Sequence, residues 1–282
     1  MGRAMPATSY EAVEVTARQA WFLADYLHAG SYPWKLAITS PYVDPSERDS
    51  FTEQCVDELT AAGVIDSRGH VRSSVAQAVK TVCQARQWLE WYTIIDADQI
   101  LRGVLARSSP PDAVVALRYA QMVTFTPLQL THSEAIVAII TAGLPANQQP
   151  APLSEFSLPM DIGKAIDDRI GRGADIVETL TDLGVAERDA EIMELARTGD
   201  RITVELTAHE ATNGARHQTD VSVNVVSTQV GLILISPPAG EPRAGGNSVF
   251  APGDSFAVAM AVRDLTDRLP SGTWFPEENF SI

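Results

Sequence analysis

The residues able to do chemistry are few, and their spacing argues against most of it. His28, His70, His132, His209 and His217 include no i, i+4 pair, so no helix face presents two imidazoles to a zinc ion. His209 and His217 flank Asn213-Gly214 and read as exposed residues of a hairpin. Cys55 and Cys83 lack a C-x-x-C partner and read as buried free thiols. Asp96-Ala97-Asp98 could pair two carboxylates, but with Gln99 following it fits a turn between two strands. Asp167-Asp168 fits a solvated helix face. There is no G-x-G-x-x-G, no G-x-x-x-x-G-K-[ST] and no G-x-S-x-G, and Gly171-Arg172-Gly173 reads as a helix end. The expectation is a protein with no catalytic residues, no metal and no cofactor.

Composition narrows the partners. The 282 residues carry 21 Lys and Arg against 36 Asp and Glu, a net charge of −15. Cations replace counterions on phosphate, so this balance with scattered basic residues excludes a nucleic-acid binder and disfavours an anionic membrane surface. The longest apolar run, Ala135 to Ile140, is far shorter than the about 20 residues of a membrane span, so no membrane insertion is expected. Met1 to Tyr10 has no basic and apolar signal pattern. With only two cysteines, the expected compartment is the cytoplasm, where the Asn279-Phe280-Ser281 sequon has no role.

The elements that must position any site alternate between helix and strand. Thr16-x-x-Gln19 is a capping box opening a helix that Gly30 stops. Lys35 to Ile38 reads as a brief strand. Helices follow at Glu47 to Ala62 and Ser73 to Gln84, with a hairpin turn at Asp66-Ser67-Arg68-Gly69 between them. Trp88 to Ile95, Ile100 to Ala106, Ala113 to Leu117 and Gln121 to Phe125 read as strands. Thr131-x-x-Glu134 is a second capping box before an apolar helix, and Pro145 to Pro152 reads as a linker. Helices are expected at Met160 to Gly171, Ile176 to Leu183 and Arg188 to Arg197, and strands at Ile202 to Thr207, Val221 to Val226 and Leu232 to Ile235. Pro237 to Asn247 is a Gly/Pro-rich loop, and Pro252 begins a last helix striped with Val258, Val262, Leu265 and Leu269.

The two halves echo each other. Leu59-Thr60-Ala61-Ala62-Gly63-Val64 matches Leu180-Thr181-Asp182-Leu183-Gly184-Val185. Phe125-Thr126-Pro127 leads to Leu144-Pro145 by the same step that takes Phe250-Ala251-Pro252 to Leu269-Pro270. An internal duplication follows, with residues 1–150 and 151–282 as the two copies. The expected fold is α+β: one largely antiparallel sheet shared by two pseudo-twofold related halves, each with its helical cluster.

Several short blocks in order carry a family likeness. They are Trp21-Phe22-Leu23-Ala24-Asp25, Gly30-Ser31-Tyr32-Pro33-Trp34, Leu36-Ala37-Ile38-Thr39, Val82-Cys83-Gln84-Ala85, Gln87-Trp88-Leu89, Leu101-Arg102-Gly103, Val123-Thr124-Phe125-Thr126 and Leu269 to Pro276. The chain resembles the EspG family of ESX (type VII) secretion-associated proteins of mycobacteria and related actinobacteria, most of all the paralogue of the third, iron-linked ESX system. That resemblance implies a cytosolic chaperone that binds the apolar tip of the PPE protein in a PE–PPE heterodimer, keeps it soluble and directs it to one ESX machine. It implies contacts through Ser108 to Asp112, Val221 to Gln229 and Ile176 to Leu195. The candidate contact residues are Ser108, Ser109, Pro110, Pro111, Asp112, Asn224, Ser227, Thr228 and Gln229. The small Ser227 is expected where a partner approaches the sheet closely, and the Pro237 to Asn247 loop is expected to order on binding. A weak homodimer of the free chain is compatible with all of this. Two other classes fit the sequence less well: an enzyme or ligand-binding module with an unrecognised pocket, and a regulator whose Leu59 to Gln84 run resembles a winged helix.

Overall fold

The computed structural model describes residues 11–239, 246–272, 274 and 275. Met1 to Tyr10, the 240–245 part of the Gly/Pro-rich loop and the Asn279 sequon lie outside the described residues. From the N-terminus, β1 (Val13–Thr16) leads into α1 (Ala17–Tyr26), α2 (Arg48–Ala61) and α3 (Ser73–Cys83). Four strands follow, β2 (Gln87–Ile94), β3 (Ile100–Ser109), β4 (Asp112–Tyr119) and β5 (Met122–Gln129), then α4 (Glu134–Ile140). The same order returns in β6 (Phe156–Pro159), α5 (Met160–Gly171), α6 (Ile176–Asp182), α7 (Glu187–Arg197), β7 (Ile202–Thr212), β8 (Ala215–Gln218), β9 (Val223–Thr228), β10 (Gly231–Ser236), β11 (Asn247–Pro252) and α8 (Ser255–Asp267). Only β8 is extra. The fold is α+β, as the sequence leads one to expect.

The chain packs as two compact units, 1–86 with 103–130 and 87–102 with 131–282. In the first unit the strands run β1-β5-β4-β3; in the second they run β6-β11-β10-β9-β7-β2, with β8 paired to the end of β7. The ladders β1·β5, β4·β5, β6·β11, β10·β11, β9·β10, β7·β9 and β2·β7 are all antiparallel. The repeat extends to register. Val13 faces Phe125 and Thr16 faces Met122, while Phe156 faces Phe250 and Pro159 faces Asn247.

The matched helix ends also fold alike. Gly63 and Gly184 take φ of +68° and +88°, a left-handed conformation that a Cβ would strain. The chain then turns back so that the Val64 amide donates to Leu59 O at 2.8 Å and the Val185 amide donates to Leu180 O at 3.1 Å. This satisfies carbonyls that the helix leaves free and buries the valine against its own helix. The Thr16 capping box forms with both reciprocal bonds. In α3, Val75, Ala78, Val79 and Val82 recur at helical spacing and are all buried.

Local expectations fail where tertiary contacts outweigh them. Lys35 to Ile38 is no strand: Trp34–Leu36 is a 3-10 turn ending at Ala37 with φ +50°. Arg118 of β4 donates to Leu36 O and Ala37 O, and Leu36 is fully buried. The Thr131 capping box does not form, and the Ala135 amide donates instead to His132 Nδ1. Pro252 closes β11, and the last helix starts beyond it with Asp254 accepting from the Ala257 amide. Pro145 to Pro152 is not a free linker. Leu232 N donates to Gln149 O, Ala151 N donates to Leu232 O, and Ala151 is buried.

The segment after α8 is fastened by a carboxylate. Glu210 of β7 is buried and accepts from Ser271 N, Ser271 Oγ and Thr212 Oγ1. Burial pushes its pKa up, but these bonds and one from Gln87 outweigh that and hold it below the ordinary value of 4.5. A depressed folded pKa stabilises the protein above the ordinary value, and that stability is lost as pH falls through the folded value. Glu210→Gln should therefore lower the melting temperature at pH 7, and the gap to the parent should close on acidification below about pH 4. Melting curves across that range check it, and a pH-independent gap would assign the loss to geometry rather than charge.

Candidate functional site

An apolar groove of about 280 Å³ opens in the second unit. Its floor is sheet: Phe156 and Leu158 of β6, Val226 and Thr228 of β9, Ile233 and Ile235 of β10, and Phe250 of β11. Its walls are helical: Ile166 and Ile170 of α5, Ile176 and Leu180 of α6, and Met193 and Ala196 of α7. Strand alternation explains the floor. Val226 and Thr228 share one face of β9, and Ile233 and Ile235 share one face of β10. The Phe156 and Phe250 rings stack at 5.0 Å between centroids, because their strands pair them directly. Both rings remain half-buried, as do Val226, Ile235 and Met193. Arg197 and Arg201 also line the groove, and both are exposed.

The sequence-predicted contacts fall in two places. Ser108 and Ser109 end β3, Pro110 and Pro111 form a two-residue turn, and Asp112 begins β4. Ser109, Pro110, Pro111 and Asp112 are exposed, a hairpin tip in the first unit, and the Leu130 amide donates to Pro111 O at 2.7 Å. The other four residues are in the second unit. Thr228 lines the groove, its hydroxyl donating to Gly231 O and accepting from the Val230 amide. Asn224 is half-buried and donates to Ser222 Oγ. Gln229 is exposed and donates to Leu195 O and Thr198 Oγ1, joining the β9–β10 turn to the end of α7. Ser227 is 5% exposed, opposite Ile202 on one side and Leu232 on the other. Alternation turns its side chain to the sheet face opposite Val226. Bulk at Ser227 would therefore strain the fold itself. Of the groove residues, Ile176 and Leu180 were legible as an apolar helical stripe. Phe156 and Phe250 were not, because β6 and β11 are short strands without turn signals around them.

The buried titratable groups do not assemble a reactive centre. Thr207 Oγ1 lies 3.1 Å from His209 Nε2, and Glu90 Oε1 lies 3.8 Å from the same nitrogen. A nucleophile-activating triad needs the acid and the hydroxyl on opposite imidazole nitrogens. All three side chains are buried, with the His209 ring stacked 5.1 Å from the Trp88 indole, so His209 is a core residue and not the exposed hairpin residue expected. The indole Nε1 donates to Glu90 Oε1 at 2.6 Å. Burial raises the Cys55 thiol pKa and pushes that of Cys83 up to about 12, leaving both as protonated, poor nucleophiles. No group of three His, Cys, Asp or Glu is arranged to hold a metal among the described residues. No helix among them is long and apolar enough to cross a membrane.

Comparison with known proteins bears on what an apolar groove over such a sheet is for. The model of the EspG family matches residues 16–264. The chain belongs to the EspG family. The ESX-3 secretion-associated protein EspG3 of Mycolicibacterium smegmatis is 45% identical over 95% of this chain and 90% of its own length. EspG3 of Mycobacterium tuberculosis is 36% identical over 96% and 95%. Among solved structures, the M. tuberculosis type VII secretion system chaperone EspG5, in complex with a PE25–PPE41 dimer, shares the fold. The TM-score is 0.78 over 94% of this chain and 99% of that one, at 19% identity. EspG membership carries the likeness of the short sequence blocks across nearly the whole chain.

Proposed function

We propose that this EspG protein is a cytoplasmic chaperone of the ESX-3 type. It binds the apolar tip of the PPE protein in cognate PE–PPE heterodimers, keeps them soluble and directs them to one type VII secretion system. It does so without catalysis. The observation that carries this is the open apolar groove of the second unit, with stacked Phe156 and Phe250 half-buried in its floor. A helical tip with an exposed apolar patch associates with itself, and a groove between helices and a sheet removes that patch from water. The exposed tip Ser109, Pro110, Pro111 and Asp112 gives a second contact, with Asn224, Thr228 and Gln229 serving the groove end. We also propose that residues 1–150 and 151–282 are copies of one duplicated α+β module. The matching strand order and register support that reading.

Ser248 of β11 is half-buried in the groove lining, so Ser248→Trp fills the space while removing no packed apolar group. The untagged native protein should co-purify with a PE and a PPE polypeptide identified by mass spectrometry. Ser248→Trp should weaken that complex about 100-fold in calorimetry while melting within a few degrees of the parent. Recovery of no PE–PPE pair, or equal affinity in the filled variant, overturns the reading.

A further inference from the structure

The two units carry the same strand order and register, yet only the second leaves its sheet floor half-open. Phe250, Phe156 and Ile235 line the groove and are half-buried. Their register counterparts in the first unit are Phe125, Val13 and Ala116, at 1%, 9% and 0% exposure. The cause is the connection after the first helix. Residues 172–175 join α5 directly to α6, whereas residues 27–47 separate α1 from α2. That longer segment folds back on its own sheet. The Tyr32 ring lies 5.9 Å from Phe125, its hydroxyl donates to Ala20 O, and Leu36 is sealed in by Arg118 of β4. The first unit thus supplies from within its own chain a short apolar turn that the second unit lacks.

The groove also departs from the charge of the chain. Across a molecule of net charge −15, its lining among the described residues holds Arg197 and Arg201 and no carboxylate. Two exposed guanidiniums beside an apolar floor complement a carboxylate attached to an apolar segment.

Resting on the chaperone reading above, we infer that the groove takes an apolar turn of the PPE tip, equivalent to the Tyr32–Leu36 segment of the first unit, with an acidic side chain beside it that meets Arg197 and Arg201. Apolar burial supplies most of the affinity, and the arginines select tips by charge and speed their arrival.

The test uses the full chain and the PE–PPE heterodimer that co-purifies with it. Affinity is measured at about 50 and about 300 mM salt, where screening differs strongly. Arg201→Gln alone should weaken binding about threefold at low salt, and Arg197→Gln with Arg201→Gln about tenfold. Both should flatten the salt dependence. Both residues are exposed, so the melting temperature should hold. Parent-like affinity in the arginine variants, with binding lost in Ser248→Trp, overturns the charge inference and leaves the chaperone reading intact. Weaker binding with an unchanged salt slope also overturns it, since packing of the arginine stems would then explain the loss. Equal binding by all variants defeats the chaperone reading itself.

Discussion

Phe125→Ala is expected to cost about 3–5 kcal/mol of stability, and Phe250→Ala less than half of that, although the two phenylalanines hold equivalent places in a repeated strand register. Phe125 is 1% exposed, pairs with Val13 and Ala116, and packs under the Tyr32 ring. Truncating it leaves a cavity lined by strands and by Tyr32, and interlocked neighbours collapse into such a space only partly. Phe250 already meets solvent on the groove side, so its removal forfeits chiefly the stack on Phe156. Binding should show the reverse order. Phe250→Ala should weaken the complex with the PE–PPE pair at least about tenfold, while any Phe125→Ala protein that remains folded should bind nearly as the parent does. Chemical denaturation and calorimetry on both variants measure the two effects. Equal stability losses would mean that the groove floor is packed as tightly as its counterpart.

Gly231→Ala should destabilise the protein by about 3–5 kcal/mol, more than is usual for adding one methyl group. Gly231 has φ +122°, where L side chains are strained. A Cβ there would also stand 2.6 Å from Gln149 O and 2.8 Å from Ala151 N, both backbone atoms that cannot swing away. The 149–151 segment is held against β10 by hydrogen bonds on either side of Gln149 and Ala151, and the Gly231 carbonyl accepts from Thr228. Relief would require detaching that segment from the sheet. Hydrogen exchange should then show the Ala151 and Leu232 amides losing protection before the rest of the second unit. A loss under about 1 kcal/mol with both amides still protected would show that the segment gives way easily.

The elements with their own local signals were legible in the sequence. The Thr16 capping box, the α3 stripe from Val75 to Val82, the glycine stops at Gly63 and Gly184 and the α8 stripe from Val258 to Leu265 each depend on residues within a turn or two of one another. The repeated Leu-x-x-x-Gly-Val and Phe-x-Pro blocks announced the duplicated order because both copies kept the same local solutions. Charge excluded nucleic acid without any structure, since counterion release depends on the sign of the surface alone.

Misread segments were those whose conformation is set by a distant partner. Lys35 to Ile38 has strand-like composition, yet Arg118 takes the Leu36 and Ala37 carbonyls and turns it into a 3-10 bend. Pro145 to Pro152 has linker composition, yet Leu232 binds it on both sides. β6 and β11 are too short to show a period, so the floor of the groove stayed hidden. Ser227 looked like an open small residue, but its burial comes from its neighbours Ile202 and Leu232, not from its own chemistry.

The sequence by itself determined the α+β class, the internal repeat, the family and the absence of recognisable catalytic spacing. Those are properties of local pattern and of composition. Only the tertiary structure decided which of two equivalent sheet faces is filled and which stands open. That depends on whether the chain after the first helix of each copy is long enough to fold back onto its own strands. Residues 27–47 are, and residues 172–175 are not.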